Sequence, residues 1–165
     1  MLRILSRIKA GNLFRFLVQA KMAYALQYHG VTPKSVLQAW MQKEYNLSEW
    51  LRGIHHRRKG YYFLCVGNFP IGCLKFTLFR NYSAIDKLWI KPNFRKRRGS
   101  FRLLQALKPH PQRIQVYAGN LKALRTCRKN GFQYWANTTF QAKGFVQSGK
   151  TLLRKNMPVG SVRID

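Results

Sequence analysis

Acid is what this sequence lacks most. Only Glu44, Glu49, Asp86 and Asp165 oppose 31 lysines and arginines in 165 residues, leaving a formal net charge of +27. Self-repulsion at that density works against a compact chain unless anions screen it. The natural partner is a polyanion, because Lys and Arg that neutralise phosphates release condensed counterions. Nucleic acid, whether DNA or RNA, is therefore favoured over an acidic membrane surface, an acidic protein or a small anion. The same scarcity narrows catalysis, since Asp86 is the single carboxylate between residues 60 and 141.

Other absences exclude whole classes. Three cysteines, Cys65, Cys73 and Cys127, make no disulfide framework. Cys65 and Cys73 flank a hairpin turn and read as small apolar strand residues in a reducing compartment. No Cys/His cluster has zinc spacing, and the adjacent His55-His56 pair points its side chains apart, so no metal is expected. No run approaches the roughly 18 apolar residues of a membrane-spanning helix. No repeat or low-complexity linker divides the chain, so one domain over 1–165 is expected, with a helical part at 1–58 and a sheet core at 60–156. A hydrophobic content of 46% is enough for a packed core. Residues 1–30 carry Arg3, Arg7, Lys9, Arg15 and Lys21 without an acid, a composition shared by organelle-targeting peptides and surface-lying helices. Because acid stays scarce to the C-terminus, the first helix of a uniformly basic protein is the favoured reading. The expected location is cytoplasmic or with nucleic acid.

Along the chain, residues 12–28 have helical apolar spacing at Leu13, Phe16, Leu17, Ala20, Ala23 and Ala25, ended by Gly30. Thr32 reads as the N-cap of a second helix with Pro33 at its first position and Val36, Leu37, Trp40 and Met41 inward. Leu47 to Ile54 adds a third helical stretch with Trp50 and Leu51 inward. From Gly60 the period becomes two. Strands are expected at 61–66 and 71–79, joined by Gly67-Asn68-Phe69-Pro70, and at 83–90. A helix around 101–107, a strand at 113–118, a helix at 121–129 and strands at 132–140 and 145–153 complete an α/β, or layered α+β, fold.

Two segments carry a family resemblance. Ala84-Ile85-Asp86-Lys87-Leu88-Trp89-Ile90-Lys91-Pro92-Asn93-Phe94-Arg95 resembles the strand and cofactor loop of the GNAT superfamily of acyl-CoA-dependent N-acyltransferases. Asn120-Leu121-Lys122-Ala123 with Cys127-Arg128-Lys129-Asn130-Gly131-Phe132 resembles that family's Asn-x-x-Ala and Gly-Phe signature. The resemblance covers about half the chain, and Pro70-Ile71-Gly72 stands where the family has a similar turn. It implies a mixed, mainly antiparallel twisted sheet with helices on both faces, whose strands 83–90 and 113–118 splay around acetyl-CoA or another acyl-CoA. It further implies that Leu88, Trp89, Ile90, Arg95, Arg98, Gly99, Ser100 and Asn120 bind that cofactor. The family loop reads Arg/Gln-x-x-Gly-x-Gly/Ala; here Arg98 stands at the first glycine and Ser100 at the last, with Gly99 between. Cys127 holds the place of the family's Tyr acid. A thiol can donate the same proton, and Asp86 is the candidate base.

Charge beyond one cofactor's needs points to a second anionic ligand. Lys96, Arg97 and Arg102 on the loop, with Lys122, Arg125 and Lys129 at helical spacing, form the expected nucleic-acid surface. Tyr61, Tyr62, Trp89, Phe94 and Tyr134 are either core or base-stacking aromatics. The sequence leaves three functions open. They are acyl transfer to an amine presented on nucleic acid, structural nucleic-acid binding by a catalytically degenerate relative, and acyl transfer to a protein or small molecule.

Overall fold

The computed structural model describes residues 2–5, 9–28, 32–54, 58–95, 98–107, 111–142 and 145–154. In chain order these form β1 (Leu2–Leu5), α1 (Ala10–Tyr28), α2 (Lys34–Glu44), α3 (Leu47–Ile54), β2 (Lys59–Val66), β3 (Phe69–Leu78) and β4 (Ser83–Ile90). A 3₁₀ turn at Pro92–Phe94 leads to α4 (Gly99–Gln105), β5 (Gln112–Tyr117), α5 (Leu121–Lys129), β6 (Gln133–Ala142) and β7 (Phe145–Arg154). Seven strands make one sheet in the order β1-β2-β3-β4-β5-β7-β6. Every neighbouring pair is antiparallel except β4 and β5, which run parallel.

Period-two alternation loads both faces. On β2, Leu64 joins a core with Leu103 and Leu104 of α4 and Leu124 and Cys127 of α5. Its neighbours Phe63 and Cys65 join a second core with Leu13, Phe16, Leu17 and Ala20 of α1 and Trp50 of α3. Adjacent strand residues point to opposite faces, so helices cover the sheet on both sides. Phe16 packs edge-on against Phe63 and Trp89.

Several expectations are corrected. Leu2–Leu5 is a strand, not part of a helical segment, with Leu2 opposite Val66 and Leu5 opposite Phe63. Four residues carry no period of their own, and the edge of β2 supplies the partner. Pro33, not Thr32, is the N-cap of α2, because its carbonyl accepts the first helical bond, from Leu37 N–H at 2.9 Å. Leu51 is exposed while Trp50 is buried; one helical step of about 100° separates them. The β2–β3 turn is shorter than expected. Gly67, at φ +56°, and Asn68 make it alone, and Pro70-Ile71-Gly72 lies in β3. Pro70 is opposite Cys65 at a register shift between Leu64 and Cys65, where a missing N–H costs the ladder least. Tyr61 is buried in the second core and Trp89, half-buried, packs against it, whereas Tyr134 is exposed. Gly30, His55-His56, Lys96 and Arg97 lie outside the described residues, as does the side chain of Trp40.

Candidate active site

The parallel β4–β5 pair holds for only three residues, Ser83 with Gln112, Ala84 with Arg113 and Ile85 with Ile114. Beyond Ile85, β4 stays on β3 through Ile90 opposite Gly72, while β5 stays on β7 through Tyr117 opposite Gly149. The two strands therefore part, as the splay expected for 83–90 and 113–118 requires. A hollow of about 150 Å³ opens in the wedge, lined by Leu88, Trp89, Ile90, Arg95, Ser100, Ile114, Asn120, Lys122, Ala123, Thr126 and Cys127. Arg95 folds back so that its Nε donates to the Ile90 carbonyl at 3.1 Å, fixing the turn against the strand end.

Both signatures have a mechanical cause. Asn120 caps α5, its Oδ1 accepting the Ala123 N–H at 3.0 Å, which satisfies one of the orphan donors of the first turn. At the other end, Phe132 N–H donates to Cys127 O at 3.1 Å and Gly131 N–H to Arg128 O at 3.0 Å. With Gly131 at φ +82° this is a Schellman stop, which a glycine adopts without strain. The pair of caps sets the length of α5 and delivers Cys127, 4% exposed, to the hollow. Burial pushes the Cys127 thiol up to about 11, so it holds its proton at neutral pH, as a Tyr hydroxyl would. Burial likewise lifts the free thiols of Cys65 to about 11 and Cys73 to about 12.

Arg98 shows why glycine suits its position. It precedes α4 with φ 52° and ψ 22°, the one left-handed non-glycine among the described residues. Its side chain is exposed and does not line the hollow. Left-handed backbone costs an L-residue roughly 1–2 kcal/mol, and the entropy glycine adds to the unfolded chain offsets about half. Arg98→Gly is therefore expected to raise stability by ~0.5 kcal/mol, or about 1–2 °C in Tm, and Arg98→Val to lower it; thermal denaturation of the three proteins decides.

On the opposite face a larger groove, of about 530 Å³, is lined by Lys59, Lys75, Thr77, Phe79, Tyr82, Ala84, Ile85, Asp86, Arg113, Gln115 and Phe140. Asp86 is placed here, not with Cys127, and its Oδ2 accepts from Thr77 Oγ1 at 2.9 Å. It is the first residue of β4 beyond the last pair with β5, so the carboxylate stands where the strands part. The wedge thus brings together Leu88, Trp89, Ile90, Arg95, Ser100, Asn120 and Cys127, with Lys122 added to them from the cationic set. Gly99 is buried beneath them, and Arg102, Arg125 and Lys129 are exposed. No group of His, Cys, Asp and Glu able to hold a metal occurs among the described residues, nor a helix there long and apolar enough to cross a membrane. Sequence reasoning missed the groove's Lys59, Lys75, Thr77, Tyr82 and Arg113. The signal was present, because polar Lys75, Thr77, Arg113 and Gln115 alternate with apolar Leu74, Phe76, Ile114 and Val116.

Residues 22–132 match the model of the acetyltransferase (GNAT) family. Among solved structures, the chain is similar to a PaiA N-acetyltransferase from Thermoplasma acidophilum in complex with coenzyme A, at 16% identity and TM-score 0.77, covering 94% of this chain and 99% of that one. It is similar to YjaB from Escherichia coli in its apo form, at 15% identity and TM-score 0.72, covering 95% and 99%. It also resembles the ribosomal-protein-S18-alanine N-acetyltransferase from Escherichia coli, at 11% identity and TM-score 0.62, covering 99% and 100%. At these identities the structural likeness speaks to the fold. No curated protein sequence matches the chain.

Proposed function

Because the chain belongs to the GNAT acetyltransferase family, we propose that it is an N-acyltransferase that moves an acyl group, acetyl first of all, from acyl-CoA to an amine carried by nucleic acid. The observation that carries the donor half is the parting of β4 from β5 over a hollow lined by Ser100, Asn120 and Cys127. The lining fits such a donor, apolar at Leu88, Trp89 and Ile90 and cationic at Arg95 and Lys122. At Gly99 a Cβ would come within 2.8 Å of Leu64 Cδ2 and 3.2 Å of Ile90 Cδ1, and its absence lets the start of α4 rest directly on the core behind it. Leu88, Trp89 and Ile90 would hold the donor's thioester arm, and Arg95, Ser100 and Lys122 would face its phosphates. When bound, the donor supplies a thioester whose carbonyl carbon bonds to the amine nitrogen as the C–S bond breaks.

This chain's own residues balance the protons. Asp86 takes the proton that the amine loses, and Thr77 orients the receiving carboxylate. Cys127 gives a proton to the departing sulfur. The apolar burial that lifts Cys127 also raises the basicity of a thiolate formed beside it, so proton transfer between the two sulfurs stays near balance. Positioning supplies the rest.

The nucleic-acid half is supported by charge. Lys122, Arg125, Arg128 and Lys129 are exposed on α5, and Arg102 on α4, in a chain of net charge +27. The test of the donor half is thermal unfolding and calorimetry with CoA and acetyl-CoA. Ligand at a hundredfold over its Kd stabilises by about 2.7 kcal/mol, which shifts Tm by about 5–10 °C for a domain of this size. No shift and no binding heat would leave a fold without its chemistry. For the nucleic-acid half, affinity is expected to fall with salt by about 0.7–0.9 in log K per phosphate neutralised. Arg102→Ala and Arg125→Ala should flatten that slope.

A further inference from the structure

The groove across the sheet has a composition unlike that of a pocket for a simple amine. Phe79 and Tyr82 stack at 4.7 Å between centroids with planes 11° apart. The Arg113 guanidinium lies 5.9 Å from the Tyr82 ring and 5.3 Å from the ring of Trp135, which stands beside the groove on β6, beyond β7. Trp135 is 57% exposed and Phe79 47%. Lys59, Lys75 and Arg113 set three cations around the one carboxylate, Asp86. Exposed aromatics framed by cations match a ligand that is planar and phosphate-bearing, because bases stack on aromatic faces and on guanidinium while phosphates take the lysines. The single carboxylate, acceptor-only when ionised, suits an amine on that same ligand.

We propose that this groove seats an unpaired base of a single-stranded nucleic acid, with Tyr82, Arg113 and Trp135 as the stacking platform and Lys59 and Lys75 on the flanking phosphates. The proposal rests on the acyltransferase reading above and names its acceptor. Location supports it. On β5, Ile114 lines the donor hollow while Arg113 and Gln115 line the groove, so the two sites lie back to back across one strand. Asp86 stands at their junction. A base amine inside a duplex is paired and stacked, and chemistry on a base requires it to be single-stranded or flipped out. The groove accordingly selects strands over duplexes, a preference that a cationic surface alone does not produce.

The experiment is fluorescence anisotropy with a labelled mixed-sequence RNA 12-mer, its DNA counterpart and the matching duplex, at low salt and without CoA. Single strands are expected to bind at least tenfold tighter than the duplex. Arg113→Ala and Trp135→Ala are each expected to weaken strand binding about tenfold, within the range measured for a lost base-stacking contact. Trp135→Phe should recover most of that loss. A strand that binds wild type but ignores Arg113→Ala and Trp135→Ala, while Arg125→Ala weakens it, overturns the groove and leaves the nucleic-acid reading standing. Absence of binding to any strand or duplex at low salt removes both. An acidic peptide that displaces the strand with the same dependence on Trp135 would assign the groove to a protein and overturn the proposal. A thermal melt of each variant separates lost binding from lost fold.

Discussion

Gly99→Val is expected to lose at least tenfold in CoA affinity and about 1–3 kcal/mol of stability, the usual cost of forcing extra methyl groups into a packed core. Gly99 opens α4 and is buried against the strand side of the donor hollow. Its absent Cβ is what lets the helix start rest on Leu64 and Ile90, both buried. A valine there must push α4 outward or drive Ile90 toward the hollow, and either movement displaces Ser100 and Arg95. Calorimetric titration of CoA together with urea denaturation separates the two effects. An affinity unchanged from wild type would show that α4 does not border the cofactor. Gly72 gives an independent check from the other edge of β4. A Cβ there would stand 2.4 Å from Ile90 Cδ1 and 3.0 Å from the Trp89 carbonyl oxygen. Because one of those atoms is backbone, Gly72→Val should distort the cleft strand itself.

Asp86→Asn is expected to cut kcat by about 10²–10⁴, the range for removing a general base, with CoA affinity unchanged. Carboxamide and carboxylate have the same shape, and Thr77 can still donate to the retained oxygen, so lost basicity is isolated from lost packing. Cys127→Ala should also lower kcat and spare CoA binding. Its pH signature differs in a definite direction. The thiol sits near 11, so the acid form is present throughout neutral pH and is lost only as pH rises through about 11. Wild-type kcat should therefore show no falling limb from this group below about pH 10. The same sign holds for stability. A thiol raised above its unfolded value of about 8.5 contributes fully below that pH and progressively less as pH climbs toward 11. A falling limb near pH 8.5 that disappears in Cys127→Ala would mean that the thiol is not lifted by burial.

Much of the candidate site was legible in the sequence. Asn120, Ala123, Gly131 and Phe132 are local devices: a capping side chain, a first helical turn, a left-handed stop and the apolar residue behind it. Their geometry spans three or four residues, so the sequence carries it almost whole. Arg98 and Ser100 in the places of glycine were equally visible. Only the backbone shows that Arg98 keeps the left-handed conformation of a glycine, with its side chain held out of the hollow. The alternation of β2 to β5 and the caps of α5 follow from periods and turn chemistry acting within one segment.

What tertiary structure decided is pairing and sidedness. Leu2–Leu5 became a strand because the edge of β2 was there to receive it. Whether Tyr61 and Trp89 pack inward and Trp135 is a surface depends on which helices lie over which part of the sheet. Asp86 and Cys127 read as one catalytic pair in a linear scan, yet they stand on opposite faces of the sheet where β4 leaves β5. No local rule sets where a parallel pair stops. That depends on β5 being held by β7 and β4 by β3, contacts between segments far apart in the chain. Charge, caps and strand periods are thus properties of neighbouring residues and can be read along the chain. The wedge and the groove behind it were decided only when distant strands competed for the same edges.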